Sequence, residues 1–163
     1  MKQWIGIAVA LVLMLSGCAR QTEYETMTDV WQEQEIPAPR AISVDLPGEA
    51  ALPAMESDSG RAYLCNDYEI YIQTLPAGDI GATVEAMSGF AKDKLTILQT
   101  QQEDGDRYEF VWASTGEQGD YLGRGVVLDD GNYHYTMTVL RNTQTAQASS
   151  VVWDGVFSSF CII

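Results

Sequence analysis

Basic residues are scarce in this chain. Nine Lys and Arg stand against 23 Asp and Glu, for a formal net charge of −14 at pH 7. Nucleic-acid binding rests on Lys and Arg at phosphates, so that class of partner is excluded. Electrostatic adsorption to anionic lipid is excluded for the same reason. There is one histidine, His134. It sits between Tyr133 and Tyr135 in a strand-like run, and no Gly-x-Ser-x-Gly elbow exists to supply a nucleophile for it. We assign no catalytic residue. The apolar run from Trp4 to Leu15 falls short of the roughly 20 residues a spanning helix needs.

What is present first is a leader. Lys2 precedes that apolar run, and Leu15-Ser16-Gly17-Cys18 closes it. A positive start, an apolar stretch and small residues before a cut site make a secretory signal over residues 1–17. No twin arginine precedes the run, so export follows the general route in the unfolded state. Leu15-Ser16-Gly17-Cys18 resembles a bacterial lipobox. The resemblance implies cleavage before Cys18, diacylglycerol on its thiol and a further acyl chain on its amine, with palmitate-type chains inserted in the membrane. Several chains hold stably where one holds marginally. Loss of Lys2 takes the net charge to −15 and leaves covalent lipid as the membrane attachment. The expected location is the extracytoplasmic side of the cell membrane. Ala19 leaves inner and outer membranes open in a diderm organism.

Residues 18–40 read as a tether. Glu23, Glu25, Asp29, Glu33 and Glu35 repel one another, and Pro37 and Pro39 stiffen the end. A short helix around Met27 to Gln34, anchored by Trp31, is the alternative. Residues 41–163 are the right length for one domain. Cys65 and Cys161 form an even pair in an exported chain, which fits a disulfide. Two buried thiols acting as small hydrophobes fit equally.

Apolar periodicity lays out the domain. Ile42–Leu46 alternates and stops at Pro47-Gly48, as a strand does. Glu49–Gly60 reads as irregular. Arg61–Cys65 and Tyr68–Leu75 read as strands joined at Asn66-Asp67, with Tyr68, Ile70 and Ile72 on one face. Asp79 caps a helix carrying Ile80, Val84, Met87 and Ala91, with Gly89 near its end. Leu95–Gln101, Arg107–Ala113, Tyr121–Leu128 and Tyr133–Leu140 are four further strands. They turn at Asp104-Gly105, Gly116–Gly119 and Asp130-Gly131. A closing helix from Asn142 or Thr143 carries Ala146, Ser149, Ser150, Trp153, Phe157 and Phe160 on one stripe, though Gly155 weakens it. Each helix has one apolar stripe and needs a sheet face to cover. The expected fold is α+β, a single mostly antiparallel sheet of about six to seven strands packed with two helices.

That order resembles the PsbP-like α/β sandwich, also found in DcrB-like bacterial lipoproteins. The residues that carry the resemblance are Ile42-Ser43-Val44-Asp45-Leu46-Pro47 and the stretch Asn132 to Val139. Trp153, Val156-Phe157 and Ser158-Ser159-Phe160 complete it. It covers Ile42 to Ile163. It implies a non-catalytic module that binds or assists other proteins, and it carries no site residue across.

Candidate sites are then few. Asp129-Asp130-Gly131-Asn132 and Glu103-Asp104-Gly105-Asp106 lack EF-hand spacing and read first as turns, so no metal and no cofactor is assigned. The aromatic set is more distinctive. Tyr108, Trp112, Tyr133 and Tyr135 make a candidate binding face, because exposed aromatics mark surfaces for protein or sugar. The alternative is that both sheet faces are covered and the tyrosine hydroxyls reach water at the edges. The function these readings imply is a non-enzymatic binding or accessory module of the envelope with a protein partner. A solute-binding lipoprotein serving a transporter comes second, and an envelope hydrolase third.

Overall fold

The computed structural model describes residues 36–116, 119–143 and 150–163. The leader, Cys18 and the acidic stretch to residue 35 lie outside the described residues, as do residues 117–118 in the Gly116–Gly119 turn and residues 144–149.

In chain order the elements are β1 (Ile42–Ser43), β2 (Met55–Ser57), β3 (Gly60–Leu64), β4 (Tyr68–Pro76) and α1 (Ile80–Ser88). They continue with β5 (Ile97–Gln102), β6 (Gly105–Gly116), β7 (Gly119–Asp129), β8 (Tyr133–Asn142), α2 (Ser150–Ser159) and β9 (Cys161–Ile162). Seven strands form one sheet in the order β2-β3-β4-β8-β7-β6-β5, and β1 pairs with β9 in a separate ribbon. Every pairing is antiparallel. The fold is α+β and dominated by its sheet.

Side-chain alternation along each strand sends successive residues to opposite faces. On β8, Tyr135, Met137 and Val139 enter one core with Ile70 and Ile72 of β4 and Trp153, Val156, Phe157 and Phe160 of α2. Leu140 joins the other core, with Tyr108, Phe110, Trp112 and Val127, beneath Ile80, Val84 and Met87 of α1. On β7, Val126 belongs to the first core and its neighbour Val127 to the second. The two helices therefore cover opposite faces of one sheet.

Local chemistry sets the helix limits. The Asp79 carboxylate accepts the Ala82 amide at 2.8 Å, which satisfies one orphan N–H at the start of α1. Gly89 ends the helix in the left-handed region at φ 77°, its amide donating to the Glu85 carbonyl. Ala91 falls beyond that cap. The α2 stripe at 153, 156, 157 and 160 follows helical spacing, and Gly155 points into open space on the outer side.

Four sequence expectations are corrected. The strand expected over Ile42–Leu46 shrinks to Ile42–Ser43, because its partner β9 offers only two residues. The irregular stretch Glu49–Gly60 holds a 3₁₀ turn at Gly48–Ala50 and the strand β2. The chain is still in β8 at Asn142 and in a turn at Thr143, so the closing helix does not start there. Finally, α2 is followed by a strand, β9. Both missed strands are two or three residues long, too short to carry a period.

Candidate functional site

The chain enters the described body at Ile36 and docks at Arg40. The Arg40 amide donates to the Tyr135 hydroxyl at 2.8 Å, and its guanidinium meets Asp104 at 2.8 Å. Ala41 then accepts the Ile163 amide, and Ile42 and Ser43 pair with β9. Val44 and Leu46 pack against the α2 core. This incoming segment stands apart from the β2–β3 hairpin, and clefts open between the two.

One has a volume of about 350 Å³ and is lined by Arg40 and Ile42 on one side and by Asp58, Arg61 and Gln73 on the other. A second, of about 220 Å³, continues it beneath Val44 and Leu46 to Tyr63. A third cavity, of about 220 Å³, lies away from that segment against β2, β3 and β4, lined by Met55, Ala62, Tyr71 and Gln73. Arg61 lines each of these three cavities.

The electrostatics single out the same residue. Arg107, only 7% exposed, donates to the Phe157 and Phe160 carbonyls at 2.7 and 3.0 Å and to Glu109 at 2.7 Å. Arg124 is held by Glu109 at 3.0 Å and Asp154 at 2.7 Å. These two arginines fasten the last turn of α2 to the sheet. Burial opposes ionisation of Glu109, but the bonds from Arg107 and Arg124 outweigh it and hold its pKa below the ordinary carboxylate value. Among the described residues Arg61 makes one ion pair, with Glu56 at 3.9 Å, and both side chains are exposed. It is thus the loosest of the arginines that make an ion pair here, and it faces a polar cleft of a size that accepts a ligand.

On the opposite face of the sheet, Tyr71 donates to Glu69 at 2.6 Å. That bond, then burial and the nearby charge, push the phenol up to about 12. The ring holds a neutral, donating hydroxyl beside the third cavity.

The aromatic set does not form a face. Tyr108 and Trp112 are 7% and 6% exposed on the α1 side, and Trp112 stacks on Phe110 at 5.6 Å. Tyr135 is fully buried on the α2 side, with Tyr133 half-buried beside it. Odd and even positions across paired strands separate the two pairs, and a helix covers each. The Tyr135 hydroxyl donates to Asp130 and accepts the Arg40 amide.

The cysteines are corrected as well. Cys65 and Cys161 are separate free thiols. Cys65 is half-buried, its thiol donating to the Glu49 carbonyl at 3.7 Å, whereas Cys161 is exposed on β9. Neither the disulfide nor the pair of buried thiols describes them.

His134 is fastened inside the sheet rather than offered to a substrate. Its side chain is 1% exposed. Nδ1 lies 2.8 Å from the Thr83 hydroxyl of α1, and Nε2 lies 3.6 Å from Asp129 Oδ2. The histidine ties the first turn of α1 to β8. Asp129 and Asp130 serve the turn between β7 and β8: they accept the amides of Gly131, Asn132 and Tyr133 at 2.7 to 2.9 Å. Among the described residues no group of three or more His, Cys, Asp or Glu is placed to hold a metal ion. Among them, too, no helix is long and apolar enough to cross a membrane.

Sequence reasoning did not single out Arg40, Arg61 or the β2–β3 hairpin. A signal existed in part: Ser57-Asp58-Ser59-Gly60 is a run of turn residues. No protein-family model matches the chain, and no curated protein matches it in sequence.

Proposed function

We propose that the chain is a lipid-anchored, extracytoplasmic bacterial protein that serves the cell envelope as a non-enzymatic binding or accessory module, with an envelope protein as its partner. The observation that carries this reading is Leu15-Ser16-Gly17-Cys18 behind an apolar leader. A fully extended stretch from Cys18 to Arg40 reaches at most about 80 Å, so Arg40 and the cleft beside it would lie within that distance of the lipid anchor. The Arg61 cleft is the place for contact. It is polar, it faces solvent, and its arginine is loosely held in a strongly acidic chain, which suits a carboxylate on the partner. The sheet with one helix on each face is compatible with the PsbP-like sandwich, and that kinship is part of the same proposal.

The cleft volume favours one second reading, a small anionic solute held by Arg40 and Arg61 and passed to a transporter. Crosslinking in intact cells separates the two. A tagged full chain is compared with Arg61→Glu, and captured proteins are identified by mass spectrometry. One envelope protein recovered with the wild type and lost in the variant supports the partner reading. Recovery of no envelope protein, together with tight binding of a small carboxylate to the purified chain, replaces it with the solute reading.

A further inference from the structure

The two outer strands of the seven-stranded sheet are treated differently. An exposed strand edge presents unpaired N–H and C=O groups to any other strand, and proteins usually blunt such edges with short strands, charges or proline. β2 is blunted. It has three residues, contains Glu56 and follows Pro53. β5 is not. Its six residues, Ile97-Leu98-Gln99-Thr100-Gln101-Gln102, carry no charge and no proline, and five of them are exposed. Among the described residues it pairs with β6 alone. In an antiparallel ladder every second residue then turns its backbone groups outward.

The surroundings of β5 are polarised along its length. Lys92 and Lys94 stand before its start on a 3₁₀ turn, either side of Asp93, which meets Lys94 at 3.4 Å in an exposed pair and leaves the turn with a net positive charge. Glu103, Asp104 and Asp106 follow its end. A two-fold axis reverses strand direction, so two copies joined at this edge run antiparallel. A register centred on Gln99 sets Lys94 of each copy opposite Asp104 of the other. Leu98 of one copy then becomes the diagonal same-face neighbour of Leu98 of the other. Leu98 is 64% exposed, and Val111, on the same face of β6, is 57% exposed. The edge is uncharged at its centre, presents Leu98 on one side, and is oppositely charged at its two ends.

We propose that this edge binds a second copy of the chain. The β5 strands pair antiparallel about a two-fold axis, the two sheets become one continuous sheet, and Lys94 meets the acidic turn of the partner copy at each end. The occupant is a like chain because the edge is complementary to itself. At a net charge of −14 per chain, an uncharged strip with a basic end is where two copies approach with least repulsion. The inference is independent of the Arg61 cleft, which lies at the other end of the sheet order.

Sedimentation velocity on the full chain in detergent, from about 1 to 100 µM, tests it. The expected result is a concentration-dependent dimer. Leu98→Lys should weaken it about tenfold or more, whereas Val152→Lys, an equally exposed apolar site on α2, should leave it unchanged. Lys94→Glu should also weaken it, and Lys94→Glu combined with Asp104→Lys should restore it. A monomer throughout the range overturns the proposal. So does a dimer indifferent to Leu98→Lys in a chain whose circular dichroism is unchanged. If Leu98→Lys does not fold, the Lys94 and Asp104 variants decide, since both side chains are exposed and leave the sheet intact.

Discussion

Tyr135 donates its hydroxyl proton to Asp130 Oδ2 at 2.9 Å while the same oxygen accepts the Arg40 amide at 2.8 Å. One phenol thus ties the segment that walls the Arg61 cleft to the turn between β7 and β8. Tyr135→Phe keeps the ring and removes both bonds. Its expected cost is about 1–2 kcal/mol in urea unfolding, with faster amide exchange at residues 40–43 than elsewhere. Unchanged exchange there would show that the hydroxyl does not hold the segment.

Acid should loosen the same corner. Burial raises the Asp130 pKa, but the amides of Tyr133 and Asn132 and the Tyr135 hydroxyl lower it by more, so the folded value lies below the ordinary 3.8. Glu109 is likewise held below 4.5 by Arg107 and Arg124 against the opposing effect of burial. A carboxylate depressed on folding contributes stability that is present above its unfolded pKa and lost as pH falls through the folded one. The chain should therefore lose stability as pH drops below about 4.5, and Asp130→Asn should flatten that slope. The check is denaturant midpoint against pH for both proteins. A wild-type midpoint that stays level below pH 4 contradicts the assignment.

Arg107 should be intolerant of substitution. It is buried, bonded to two α2 carbonyls, and paired with Glu109. Arg107→Met leaves both carbonyls unpaired and strips Glu109 of one partner, for an expected loss of about 3 kcal/mol or more. Arg107→Lys should recover little of this, because an ammonium cannot reproduce the fork. Thermal unfolding of the two variants beside the wild type measures both statements.

Gly123 and Gly125 should resist even alanine. A Cβ at Gly123 would enter the Trp112 ring, and one at Gly125 would sit 2.6 Å from Phe110. These glycines seat the stacked pair under α1. Gly123→Ala should cost about 1–3 kcal/mol by overpacking and disturb the Trp112 fluorescence spectrum. A wild-type midpoint and spectrum would remove that role.

Reductant should leave the melting temperature unchanged, since Cys65 and Cys161 are separate thiols. Thiol labelling of the folded chain should modify Cys161 quickly and Cys65 slowly. A shift in electrophoretic mobility on reduction would establish a bond between them instead.

The fold class was largely legible because long elements write their period into the sequence. Tyr68, Ile70 and Ile72 alternate as β4 does, and Trp153, Phe157 and Phe160 mark the buried side of α2. The caps at Asp79 and Gly89 were readable for the same local reason. The site was not legible. Arg61 matters through a gap between segments far apart in sequence, and nothing local marks the far wall. The aromatic face failed for a related reason. Alternation states that neighbours part company across a sheet, but not which face a helix later covers. Tyr108 and Tyr135 needed the positions of α1 and α2 before their burial could be known.

The ribbon of β1 and β9 has a temporal consequence. Residues 42 and 43 find their backbone partners only in residues 161 and 162. During synthesis the first strand must wait for residues 161 and 162, while the β7–β8 hairpin forms from neighbours. Among the described residues this ribbon joins the strands farthest apart in sequence, so it closes after the hairpins of the sheet.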